Sequence, residues 1–553
     1  MIKGTTKEER IKKWHNHFKN LLGKEGEEGE HEYNIDTVFE DLGINDSNFT
    51  NKELEAAKLK IKEGKQAGSD NFPPEVAKNC DLNDITLSFA NALIEKNIKP
   101  NQWAELDLIP IPKPGDLTTP ENYRGITLMS IMAKLVNKMI LNRIQEKLDP
   151  HLRPNQNGFR PKRSTTSHIL ALRRLIEGVK SHNRKAIILY VDFRKAFDSI
   201  NRGEMFKILK AYAVPPQLLN AIITMYESTK ARVRSPDGET DYFEIFIGVL
   251  QGDTLAPYLF AIVLDYVMRQ VFEGRELELS FDLHCRRSCR NPAVVITDLD
   301  FADDLALLTE EIVQAQEILT RLETEAIKVG LQCNGKKTEL QAFNHDTPVK
   351  IKTLDGTEIK SVKNFKYLGA WTESTIKDFA VRKALAWSAC HNLSKIWKSQ
   401  LPRQLKIRLF LSTVESVYLY GCGTWTLTKS LTNKIDGAYT KMLRMALNVS
   451  WKSHTSNESL YGNLPKVSQK VRERRMRLAG HCVRHPEEPA SQLVLWQPTE
   501  GKRSRGKPAT TYIDNLLADS GLDDIEHLDT AMRHREYWKR LVNEEMGHPR
   551  RRP

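Results

Sequence analysis

Long apolar runs are missing from this sequence: no segment is long enough to cross a bilayer, and the opening Met1-Ile-Lys-Gly-Thr-Thr-Lys-Glu-Glu-Arg10 lacks the apolar centre of a signal peptide. An intracellular protein, in the nucleus, the cytoplasm or both, is expected, with no membrane partner. Cysteine is also scarce. The seven residues at 80, 285, 289, 333, 390, 422 and 482 are odd in number and follow no framework spacing, so reduced thiols are expected rather than disulfides. His284, Cys285 and Cys289, and likewise His481, Cys482 and His485, carry metal-capable side chains without the paired spacing of a zinc module; His481 and His485 equally suit one polar helix face. Acidic residues are outnumbered, 71 against 83 Lys and Arg, for a net charge of +12. That balance favours a polyanionic partner, because Lys and Arg that neutralise phosphates release condensed counterions.

With 40% hydrophobic and 28% charged residues, the composition is that of a globular protein and excludes wholesale disorder. A chain of 553 residues exceeds one compact core and suggests about three or four folding units. Residues 6–22 read as an amphipathic helix, with Thr6 and Glu9 as a capping box, Ile11, Trp14, Phe18, Leu21 and Leu22 on one face, and Gly23 as the stop. The Gly- and Glu-rich stretch 24–32 reads as a solvated linker. Helical periodicity dominates from about 50 to 100. Short strand candidates alternate with helices between about 105 and 372, implying an α+β unit, and the remainder is mostly helical.

Ala186-Ile-Ile-Leu-Tyr-Val191 is a continuous apolar run of strand length that stops abruptly at Asp192. Such a run predicts a strand buried on both faces, whose end would hold a carboxylate rigidly. A second apolar stretch, Val294 to Leu308, is interrupted by Asp303-Asp304, which places that pair at the tip of a tight hairpin. An isolated Asp-Asp pair more often fills an exposed turn. Adjacent carboxylates repel, however, and a hard divalent cation such as Mg2+ relieves them. Three such carboxylates fit a two-metal phosphoryl-transfer site.

The segments around these residues supply a resemblance. Val191-Asp-Phe-Arg-Lys-Ala-Phe-Asp198 and Phe301-Ala-Asp-Asp304 resemble reverse transcriptase motifs A and C, with Gly248-Val-Leu-Gln-Gly-Asp-Thr-Leu-Ala-Pro-Tyr-Leu-Phe260 between them resembling motif B of the LINE-type (non-LTR) retrotransposon branch. Leu108-Ile-Pro-Ile-Pro-Lys-Pro-Gly115, Asn122-Tyr-Arg-Gly-Ile-Thr-Leu128 and Gln156-Asn-Gly-Phe-Arg-Pro161 resemble its fingers segments; 330–339 resembles motif D and Phe365-Lys-Tyr-Leu-Gly369 motif E. The family order is kept throughout.

This resemblance implies a right-hand polymerase: an N-terminal helix and linker over 1–50, fingers and palm over 51–372, a helical thumb over 373–465, and a basic C-terminal segment over 466–553 that contacts nucleic acid. It implies an RNA-directed DNA polymerase that extends a primer 3′-hydroxyl on an RNA template, using dNTPs and two Mg2+ ions, with Mn2+ as a substitute. Asp192 and Asp303 would hold metal, and Asp304 would either hold metal or shape the turn. Phe197 would be the steric gate against ribose. Lys113 and Arg124 would meet the triphosphate, and Gln251 and Gly252 would pack beside the nascent base pair. Lys337 would act as general acid towards pyrophosphate, with Lys336 the alternative register. Tyr367 and Leu368 would position the primer.

Basic clusters at Arg472–Arg477, 502–507 and 550–552, with Trp496, Tyr512 and Trp538 nearby, suggest template RNA or target DNA as partners; solvated charge is the alternative. An N-terminal apurinic-type endonuclease does not fit before residue 60, and the pattern of a C-terminal restriction-like nuclease is not found. Target nicking is therefore expected from another source, and the chain is expected to be a partial product, a degraded copy or a gene model starting downstream of the nuclease. A catalytically silent copy that retains only nucleic-acid binding is the competing reading. An intron maturase is disfavoured by the LINE-like motif B.

Overall fold

The computed structural model describes residues 2–4, 6–23, 33–284, 293–501 and 509–543. The 24–32 linker, Cys285, Cys289 and the basic clusters at 502–507 and 550–552 lie outside those residues. The first helix runs Lys7–Leu22, with the Thr6 side chain accepting from the Glu9 backbone N–H and Gly23 closing it on the Lys19 carbonyl. Its buried face is Trp14, Phe18 and Leu22. That face rests on the first of the two larger sheets, where Trp14 meets Tyr123 edge-on at 4.8 Å and Arg10 pairs with Asp237 at 2.8 Å.

This first sheet is ordered Tyr123–Leu128, Glu105–Pro112, Lys230–Ser235 and Gly238–Glu239, with Phe243–Glu244 also pairing on Lys230–Ser235. Glu105–Pro112 and Tyr123–Leu128 form an antiparallel hairpin with Ile111 opposite Arg124, and the Lys113 N–H donates to the Asn122 carbonyl at 2.7 Å. Lys113 and Arg124 are thereby carried on one hairpin.

The second sheet is ordered Lys360–Ser361, Glu339–Phe343, Ala186–Val191, Asp304–Thr309 and Asp298–Phe301. Ala186–Val191 is its central strand and every residue in it is buried, as its unbroken apolar run predicts. Side chains alternate across a strand, and here each side has its own core. Ile187, Leu189 and Val191 join Leu305 and Leu307 against the helices Ala256–Phe272 and Ile312–Lys328. Ala186, Ile188 and Tyr190 join Ala306 and Leu308 against the Thr165–His182 helix and the C-terminal region.

A third core is wholly helical and runs from Phe379 to Val471, centred on Trp397, Tyr418, Trp425 and Tyr439. The C-terminal region does not form a core of its own: Met476, Trp496, Tyr512, Leu528 and Trp538 share the second core with the sheet. This bears on the expectation that Trp496, Tyr512 and Trp538 lie with the basic clusters in contact with nucleic acid. All three are buried, and their polar atoms are already engaged, with Trp496 Nε1 donating to the Leu283 carbonyl at 3.1 Å, Trp538 Nε1 to Met476 at 2.8 Å and the Tyr512 hydroxyl to Gly423 at 2.8 Å. Most of the Arg472–Arg477 cluster is likewise committed inward. Arg472 donates to the carbonyls of Asp519, Leu541 and Val542, Arg474 to that of Leu419, and Arg475 pairs with Asp519 at 2.9 Å. Arg474 and Arg477 are the exposed residues of that cluster.

Candidate active site

Asp192 follows the buried central strand directly. Its carbonyl accepts from the Asn334 N–H at 2.7 Å, its N–H donates to Thr338 Oγ1 at 3.3 Å, and its Oδ2 accepts from Asn334 Nδ2 at 3.2 Å. The 334–338 turn therefore grips Asp192 through backbone and side chain together. On the adjacent strand Leu305 pairs with Val191. Asp304 and Asp192 are the next residues past that pair on the two chain segments.

Asp298–Phe301 and Asp304–Thr309 are joined by a two-residue turn of Ala302 and Asp303. The hairpin tip is thus where the spacing predicted it, with one correction: the left-handed position is occupied by Ala302, at φ 55°, and not by an aspartate. Asp303 stands at the turn and Asp304 opens the returning strand.

The electrostatics of the three carboxylates show a shared field. Crowding by the cleft walls raises the Asp303 carboxyl above its ordinary range, the Asp192 charge adds to that, and Arg124 offsets it. Asp304 is pushed up to about 6, first by desolvation, then by Asp303 and Asp192. Its side chain reaches solvent at the cleft mouth even so. The ligand atoms of the three do not gather within 4.8 Å of one another; among the described residues only His485, Glu487 and Glu488 do. That trio is otherwise engaged, since Glu488 pairs with Arg163 at 3.1 Å and His485 Nδ1 lies 3.2 Å from Glu487. Cys482 is buried in the second core.

Opposite the carboxylates stand cations. Lys337 Nζ is 3.8 Å from Asp192 Oδ2. Burial lowers the Lys113 ammonium, and neighbouring Arg124, Lys195 and Lys337 lower it further while Asp198 opposes them. Asp198, to which the sequence reading assigned no role, is the hub of this group. Its Oδ1 accepts from Gln251 Nε2 at 2.6 Å, and burial pushes its carboxyl up to about 6 despite that bond and the pull of Lys195, Lys113 and Arg124.

Gln251 also accepts at its carbonyl from the Thr127 N–H at 2.6 Å. Gly252 follows at φ 126°, where a Cβ would lie 2.2 Å from the Thr127 carbonyl oxygen. A glycine is required there by the approach of the two chain segments as well as by φ. Phe197 is half-buried, stacked on Phe260 with ring centroids 4.4 Å apart, and meets the exposed ring of Phe159 edge-on at 5.9 Å.

The expectation for Tyr367 needs correction. Its ring is buried beneath the hairpin and its hydroxyl donates to the Leu299 carbonyl at 2.9 Å, so it supports the hairpin strand instead of reaching a primer. Leu368, at φ 45°, presents its carbonyl to the Tyr420 hydroxyl at 2.8 Å and joins the sheet unit to the helical unit.

A carboxylate at the end of a buried strand, two more on the adjoining hairpin and a facing bank of Lys and Arg are the makings of a phosphoryl-transfer site. Comparison with known proteins names the group. Residues 111–372 match the reverse transcriptase (RNA-dependent DNA polymerase) family. Among curated relatives, the Pol polyprotein of the type-1 retrotransposable element R2 of Popillia japonica is 25% identical over 66% of this chain and 50% of its own length. That of the type-2 element R2DM of Drosophila melanogaster is 24% identical over 58% of this chain and 30% of its own length. The RNA-directed DNA polymerase from the mobile element jockey of Drosophila funebris is 24% identical over 75% of this chain and 45% of its own length. The chain thus spans half or less of the length of these relatives. Residues 111–372 are thus similar to reverse transcriptases, and the relatives named here are proteins of retrotransposable or mobile elements.

Proposed function

We propose that the protein is an RNA-directed DNA polymerase that extends a primer 3′-hydroxyl with dNTPs on an RNA template, and that its cleft binds two Mg2+ ions through Asp192, Asp303 and Asp304. The observation that carries this reading is the register that sets Asp192 across from the hairpin tip, with the Asp303 and Asp304 carboxyls both raised by crowding and mutual charge. Hard oxygen donors at a strand end and on its neighbouring hairpin, with the exposed Lys337 at 3.8 Å and the more distant Arg124 offsetting only part of their charge, fit a divalent cation. When bound, such ions would activate the primer hydroxyl and neutralise the leaving pyrophosphate.

The chain's own residues supply the rest. Lys113 and Arg124 would bind the triphosphate, with Asp198 and Gln251 holding the shape of that bank. Phe197, braced by Phe260, would lie under the sugar and exclude a 2′-hydroxyl. Lys337, 3.8 Å from Asp192, would hand a proton to pyrophosphate. In this reading the first sheet with the N-terminal helices is the fingers, the second sheet the palm and the Phe379–Val471 core the thumb. Template RNA and primer DNA would lie between them.

Primer extension on an RNA template with Mg2+ and dNTPs tests the reading. Asp192→Asn and Asp303→Asn are each expected to abolish synthesis and leave RNA binding in place. Extension by either variant at near the parent rate would refute the metal assignment. A parent that binds the template yet extends nothing would support a silent, nucleic-acid-binding copy.

A further inference from the structure

Both peptide groups of the hairpin turn are held by one side chain from a distant loop. Gln156 is buried, and its Oε1 accepts from the Ala302 N–H at 2.8 Å and from the Gly158 N–H at 2.7 Å, while its Nε2 donates to the Ala302 carbonyl at 3.2 Å. The loop backbone extends this grip. Asn157 N–H donates to the Asp300 carbonyl at 2.8 Å and Asp300 N–H to the Asn155 carbonyl at 3.0 Å, so the loop lies along the hairpin as an extra edge. Gly158 is pressed against the turn, where a Cβ would lie 2.2 Å from the Ala302 nitrogen. Arg160 pins the loop from behind by donating to the Arg153 carbonyl at 2.6 Å and the Gln156 carbonyl at 3.1 Å, and by pairing with Asp149 at 3.0 Å.

An alanine at φ 55° is not a comfortable turn residue, and a two-residue turn with its polar groups unmet would sample other shapes. The primary amide of Gln156 supplies a donor and an acceptor in the geometry the Ala302 peptide needs. The residue after Gly158 then takes an uncommon conformation of its own: Phe159, at φ 58°, is 48% exposed and touches the edge of Phe197. A large apolar ring held outward by a strained backbone, beside the sugar gate, signals a constraint other than folding.

We infer that Gln156 is a positioning residue for the metal-binding hairpin, and that the 156–159 loop couples the placement of Asp303 to the sugar gate by pressing Phe159 against Phe197. Metal affinity and the choice of deoxyribose over ribose are then set by one device, although neither Gln156 nor Phe159 is a metal ligand. The inference rests on the proposed reading, on its metal assignment for the positioning arm and on its dNTP selection for the sugar arm.

Gln156→Met keeps side-chain volume and removes all three bonds. It is expected to weaken Mn2+ binding, read by electron paramagnetic resonance, by about 10- to 100-fold, the usual loss when a partner that orients a metal ligand is removed. In primer extension the same variant should require more Mg2+ for half-maximal rate and incorporate ribonucleotides more readily. Phe159→Ala changes an exposed ring and leaves the grip on Ala302 intact. It should raise ribonucleotide incorporation on the order of 10-fold with no change in Mn2+ affinity. Unchanged Mn2+ affinity in Gln156→Met would overturn the positioning role. Unchanged sugar choice in Phe159→Ala would overturn the coupling. Mn2+ binding does not depend on turnover, so a parent that binds Mn2+ but does not extend primers refutes the polymerase reading while leaving the positioning role to be judged by Gln156→Met. A parent that binds no Mn2+ refutes the positioning role itself.

Discussion

Replacing Asp198 with asparagine is expected to make the ligand-free protein more stable at pH 8 and no more stable at pH 4. Burial pushes the Asp198 carboxyl up to about 6, from an ordinary value near 3.8, in spite of the Gln251 bond and three nearby cations. The sign follows from which state holds the proton more tightly. Below about pH 4 the carboxyl is protonated whether the chain is folded or not, and it costs nothing. Between about pH 4 and 6 the unfolded chain ionises first, and stability falls as pH rises through the folded pKa. Above that the loss is complete. A displacement of about two units at about 1.36 kcal/mol each sets a ceiling near 3 kcal/mol, lowered because part of the side chain still meets water. The asparagine oxygen can accept the same Gln251 bond without the charge. Thermal melts of parent and variant from pH 4 to pH 8 read this directly, as a gap of a few degrees that opens with pH. A gap of equal size at both ends of the range, or a parent more stable at pH 8, would show that the raised carboxyl is not what the substitution relieves.

Two substitutions test neighbouring parts of the site. Gly252→Ala forces a Cβ to within 2.2 Å of the Thr127 carbonyl oxygen at φ 126°, and should destabilise by at least about 2 kcal/mol; a denaturant midpoint unchanged from the parent would contradict the close approach. Phe197→Ala removes the ring that stacks on Phe260 and should admit ribonucleotides during primer extension, whereas an unchanged preference for dNTPs would count against the gate.

The positions of the three candidate-site carboxylates were legible because their signals are local. The run Ala186–Val191 is apolar at every position, so burial on both faces and a stop at Asp192 follow from one short window. The hairpin and the Thr6 cap are equally local. What could not be read is what depends on partners far along the chain. Gln156 is 146 residues from Ala302, and nothing in its own neighbourhood says that its amide will close a turn. Asp198 lay in plain view in motif A, yet its role comes from Gln251, Lys113 and Arg124 arriving from other elements. The C-terminal arginines misled for the same reason. Spacing on a helix cannot tell a solvated cation from one that bonds to other elements: Arg472 and Arg474 donate to carbonyls there, and Arg475 pairs with the Asp519 carboxylate. Tyr367 and the three C-terminal aromatics were judged by residue type, but burial in the core shared by the sheet and the C-terminal region decides their work.

Counting bound Mn2+ by electron paramagnetic resonance, on the complex with an RNA template, a primer lacking its 3′-hydroxyl and the matching dNTP, tests the centre of the account most directly. Two ions per parent complex are predicted, with loss of tight binding in Asp192→Asn and in Asp303→Asn. Two tightly bound ions retained in both variants would contradict it.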